Sequence, residues 1–142
     1  MITASSRPQT IKWAALCLWL SAVLGLLVTS AQVLGLVPLV GASPGMIATI
    51  GVLTAGLLMS IAVSVNAARG WGRWVFAVIY VVGNFGGGML VLIKPEVFRA
   101  IPILLQANMI AQFVLQTAAL FFLFTGAAGR WFKTRHADPP AK

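Results

Sequence analysis

Residues Met46–Trp74, MIATIGVLTAGLLMSIAVSVNAARGWGRW, contain the pattern that the whole chain repeats. The first 22 of them, Met46–Ala67, include no ionisable side chain. About 20 apolar residues in a helix suffice to cross the hydrocarbon of a bilayer. Arg69 and Arg73 then alternate with Trp71 and Trp74, as residues do where a span meets the lipid headgroups. The same signature recurs on either side, which predicts spans over 13–34, 46–67, 71–93 and 101–124.

Composition agrees. Charged residues make up 8% of the 142-residue chain and hydrophobic ones 60%, with a mean hydropathy of +0.97. A soluble domain carries about 25% charged residues, so the expected class is an all-α integral membrane protein. Little remains for a soluble domain, and 1–142 reads as one unit ending in a basic cytoplasmic tail, 125–142. The links GLVPLVGASP, ARGWGR and KPEVFRAIP are short. Short links make consecutive helices antiparallel neighbours, giving an up-down-up-down bundle of four transmembrane helices.

Orientation follows from Lys and Arg bias. Arg7, Lys12, Arg69, Arg73, Arg130, Lys133, Arg135 and Lys142 fall on one side of this arrangement, and only Lys94 and Arg99 on the other. That places both termini in the cytoplasm, with Trp13, Trp71, Trp74 and Trp131 as interfacial anchors beside Arg69, Arg73, Arg130 and Lys133. The net charge of +8 therefore reads as topology and contact with anionic lipid at the cytoplasmic face, not as a nucleic-acid surface. The first span has a basic lead-in, and Thr29–Ala31 resembles a signal-peptidase site. The apolar run continues past it, and the expectation is a retained first helix.

No Asp, Glu, Lys, Arg or His lies inside the spans beyond their rims. Proton relays and ion-coupled transporters usually need such a group. Small multidrug resistance transporters, also four-helix proteins, depend on a glutamate in the first helix, and WAALCLWLSAVLGLLVTS has none. Ser21, Ser60 and Ser64 have no base to activate them, so no catalytic residue and no enzyme is expected. His136, in the tail, and Cys17, in the first span, assemble no metal or cofactor site. Cys17 reads as a small packing residue.

The polar groups left in the spans are amides and hydroxyls. Asn108, Gln112 and Gln116 recur every four residues on one face of the fourth span, and Tyr80 and Asn84 do so on the third. An unpaired carboxamide in hydrocarbon costs several kcal/mol, so these faces should point inward. From the outer turn, Asn84 and Gln112 lie about 15 and 16 Å deep, and Tyr80 and Gln116 about 21 and 22 Å deep. Hydrogen bonds Asn84–Gln112 and Tyr80–Gln116 are expected, either as interhelical glue or as the lining of a polar pocket.

Small residues form a second pattern. Gly56, Ser60 and Ser64 recur at intervals of four on the second span, with Gly51 and Ala55 beside them, and Gly83 and Gly87 are spaced as G-x-x-x-G on the third. Such spacing admits close helix approach, within the chain or to another subunit. Gly83–Gly88, GNFGGG, lacks the G-x-G-x-x-G order of a phosphate loop and lies within a span. A helix is expected there, unless shielding by protein or water permits a break. MIATIGVLTAGL at Met46 also aligns with MIAQFVLQTAAL at Met109, suggesting a duplicated hairpin, although the first and third spans match poorly.

ARGWGRWVF after the second span and LFFLFTGAAGRWF closing the fourth resemble small, uncharacterised four-helix proteins of bacterial inner membranes. The resemblance covers about the last two-thirds of the chain and implies that location without any activity. The leading expectation is a non-enzymatic protein that works by assembly, as a homo-oligomer or as accessory subunit of a membrane complex. The alternative is a transporter or channel subunit for an uncharged, zwitterionic or lipid-like substrate. A third is an immunity or sensor protein that binds another membrane protein.

Overall fold

The computed structural model describes residues 8–39, 42–67 and 69–137, with side-chain surroundings outside the description for 85–92 and 134–137. The described residues form six helices and no strand: α1 (Gln9–Val33), α2 (Pro44–Asn66), α3 (Gly70–Ile93), α4 (Pro95–Ala100), α5 (Ile103–Phe124) and α6 (Gly126–Ala137). Prolines place several starts. Pro8, Pro44, Pro95 and Pro102 stand at the first turn or just before it, where a missing N–H costs nothing. Ser43 caps α2 by accepting from the Met46 N–H at 3.3 Å.

Among the described residues three helices, α1, α2 and α5, are long and apolar enough to cross a membrane. That is one fewer than the four expected spans. α3 occupies the bounds expected for the third, is helical for 24 residues and passes through GNFGGG without a break. A continuous helix keeps every backbone N–H of that stretch paired. Two further helices lie outside the expected spans: KPEVFRAIP contains α4, and the tail is helical through residue 137 as α6. Thr125, extended at φ −64° and ψ 153°, interrupts the helical path between α5 and α6.

α1 packs along both α2 and α5, while α3 meets α2 and α5 over shorter contacts. The packed core lies toward the end that holds the start of α1. It joins Ile11, Ala14, Leu18 and Ala22 to Ile61 and Val65 of α2, Phe76 of α3, Leu123 of α5 and Trp131 and Phe132 of α6. Apolar side chains also cover the outside, with Leu53, Phe121 and Ile103 among the most exposed. Such a surface is stable against lipid and unstable against water.

Candidate functional site: a polar cavity between three helices

Beyond the core, α1, α2 and α5 border a cavity of about 420 Å³. Asn108, Gln112 and Gln116, which share one face of α5, all line it. Opposite them α1 contributes Ser21, Gly25, Thr29 and Gln32, and α2 contributes Gly51 and Thr54. None of the described lining residues is ionisable.

A clasp between α1 and α5 closes the deep end. Ser21 Oγ donates to Gln112 Oε1, and Gln112 Nε2 donates to the Ser21 carbonyl at 2.8 Å. Gln116 Nε2 reaches both Ser21 Oγ and Gln112 Oε1 at 3.2 Å. Ser21 is fully buried, near the middle of the 25-residue α1. Gly25, one turn further on, leaves the space this clasp uses. A Cβ there would stand 3.2 Å from Gln112 Nε2.

The expected partners of α5 are therefore corrected. Asn84 Nδ2 donates to the Tyr80 carbonyl of its own helix at 3.0 Å, not to Gln112. The Tyr80 hydroxyl lies 2.6 Å from Thr117 Oγ1, not against Gln116. Thr117 gives its own proton to the Phe113 carbonyl at 2.7 Å, so Tyr80 is the donor. Thr117 follows Gln116 by one residue and hence by about 100° of helix rotation. The amide stripe faces α1 and α2, and α3 meets its flank.

Asn108 differs from the two glutamines. Its Oδ1 is buried and accepts no hydrogen bond from the protein. A buried amide oxygen left unpaired costs about 1–3 kcal/mol, and this one belongs to a residue that lines the cavity. Gln106, off the stripe, is occupied elsewhere, donating to the Ile101 carbonyl at 2.7 Å.

The small residues divide. Gly51 abuts Thr29 of α1, Ala55 is buried, and Ser64 packs on Gly72 of α3, where a Cβ would stand 3.1 Å from the Ser64 Cβ. Gly56 and Gly83 face open space, and Ser60, exposed, gives its hydroxyl to the Gly56 carbonyl at 2.8 Å. Gly87 is helical in α3, and its packing lies outside the described residues. Trp13, Trp71 and Trp74 are exposed, as are Arg69, Arg130 and Lys133. Trp131 is only 5% exposed and belongs to the core, because α6 lies against the bundle instead of extending from it.

Sequence reading missed Ser21, Gly25 and Thr29. The signal was their spacing, which, continued to Gln32, puts small and polar groups on one face of α1. No protein family, curated protein or solved structure matches the chain. The resemblance to small bacterial membrane proteins thus rests on the apolar helices alone.

Proposed function

We propose that this chain is a non-enzymatic, four-span protein of the bacterial inner membrane, with both termini in the cytoplasm, that binds an uncharged or zwitterionic small molecule between α1, α2 and α5. α3 supplies the fourth span in this reading, and the distribution of Lys and Arg supports the orientation. The observation that carries the binding reading is the unpaired Asn108 oxygen beside a cavity without ionisable lining. Its size lies within the usual range for ligand sites, about 300–1,000 Å³. An orphan acceptor selects ligands that bring an N–H or O–H. Exchange of such a molecule across the bilayer would make the chain a small transporter or channel subunit.

The test is thermal unfolding of the purified chain with neutral solutes matched in size, half of them hydrogen-bond donors and half not. Donor-bearing members should raise the midpoint, and Asn108→Leu should remove their advantage over the others. Equal shifts from both halves of the panel, or none from either, would sink the reading.

Gly56, Ser60 and Gly83 favour a second reading, self-assembly, since among the described residues none comes within 4 Å of a Cβ built on either glycine. Gly56→Leu should then abolish the crosslinked dimer in native-like membranes without altering thermal unfolding of the monomer in detergent. A crosslinking pattern untouched by Gly56→Leu would exclude that face.

A further inference from the structure

Between α3 and α5, on the side away from the cavity, runs a second groove of about 550 Å³ lined by Trp74, Ala77, Thr117, Leu120, Phe121, Phe124 and Thr125. Its two hydroxyl side chains are already engaged, Thr117 with the Phe113 carbonyl and Thr125 with the Phe122 carbonyl. The groove therefore offers an apolar, aromatic channel. From Thr117 to Phe124 it follows α5 for about 10 Å. Trp74 and Phe124 meet edge to face at one end, with ring centroids 5.1 Å apart.

The guanidinium of Arg73 stands against those same two rings. Its Cζ lies 5.6 Å from the Trp74 centroid and 5.7 Å from that of Phe124, with Phe132 of α6 at 5.1 Å. Three rings hold the cation in place without neutralising it. Its Nε is buried and has no hydrogen-bond partner. The described carboxylate, Glu96, lies on α4 beyond the far end of α3, about 35 Å away along that helix. Arg130 adds a second cation at this end, its Nη1 lying 3.5 Å from where a Cβ on Gly126 would stand, beside the groove-lining Thr125.

An apolar channel that ends at a fixed guanidinium, with no described carboxylate beside it, matches one occupant. The geometry points to a bound anionic phospholipid, with one acyl chain along the α3–α5 groove and its phosphate on Arg73 and Arg130. Guanidinium takes phosphate through paired, charge-assisted N–H···O bonds, and the exposed aromatic surface packs against the chain. This is a defined site of one lipid, distinct from the general attraction of a basic face to an anionic membrane, and it does not depend on the ligand cavity.

The experiment is native mass spectrometry of the full chain, equilibrated in detergent with phosphatidylglycerol and phosphatidylcholine of identical acyl chains. One phosphatidylglycerol should be retained per chain, with a preference of about tenfold, because phosphatidylcholine brings the same phosphate with a quaternary ammonium that the guanidiniums repel. Arg73→Gln should bring its retention down to that of phosphatidylcholine. Ala77→Trp fills the groove while leaving Arg73 in place, and it should reduce retention of both lipids. This second variant keeps the test decisive should Arg73→Gln release α6 and unfold the chain. Equal retention of the two lipids by the unaltered chain would overturn the proposal. So would unchanged retention by Ala77→Trp, or displacement of the lipid by millimolar inorganic phosphate, which would indicate a site for the anion alone.

Discussion

Gly51→Leu will drive α1 and α2 apart and leave the chain destabilised by about 3 kcal/mol, the upper range for overpacking a filled site. The conflict arises at the first added atom. A Cβ on Gly51 would stand 2.6 Å from Thr29 Cγ2 and 2.9 Å from Thr29 Cβ. Rotating Thr29 about χ1 cannot clear its own Cβ, and a β-branched residue in a helix has few rotamers to choose from. The helices must separate, and the contact they lose is among the most extensive in the fold. Unfolding in mixed micelles with increasing denaturing detergent measures the loss. Thr29→Gly removes the opposing atoms, so the double variant should recover most of the stability lost in Gly51→Leu. A Gly51→Leu chain as stable as the unaltered one would show that α1 and α2 do not meet at this point.

Gln112→Leu is expected to cost about 2 kcal/mol, since interhelical hydrogen bonds in membranes contribute about 0.6–2 kcal/mol each and this residue makes two, both to Ser21, beside one to Gln116 within α5. Gln116→Leu should cost about half as much, because its two bonds are both at 3.2 Å and Ser21 keeps Gln112 as its acceptor. The order of the two effects discriminates more sharply than their sizes. If α5 were paired with α3 through Tyr80 and Asn84, removing Tyr80 or Asn84 would weaken the glutamine effects. In the clasp described above, Ser21→Ala does so instead. A double-mutant cycle of Ser21→Ala with Gln112→Leu should show coupling, and one of Asn84→Leu with Gln112→Leu should show additivity. The opposite result would return the stripe to α3.

The apolar runs were sufficient to predict the bounds of the four long helices to within a few residues, but not α4 or α6. The four-residue recurrence of Asn108, Gln112 and Gln116 puts them on one face of α5, the face that borders the cavity. Both are consequences of the solvent. A bilayer penalises every unpaired backbone group and every bare amide, so length and polarity along one segment determine that it is a helix and which of its faces is hidden.

What that face meets was decided only in three dimensions. The turn of about 100° between Gln116 and Thr117 sends the amides toward Ser21 of α1 and leaves Tyr80 to the neighbouring hydroxyl. Gly25 and Gly51 supply the clearances for that choice, against Gln112 and Thr29. The inward fold of α6 likewise buries Trp131 and sets Phe132 under Arg73, a role its basic and aromatic composition did not distinguish from an interfacial anchor. In lipid, apolar side chains gain little by leaving one apolar neighbour for another. Helix rotation and partner choice therefore depend on a few close-packed glycines and paired polar groups, whose contacts exist only once the helices have come together.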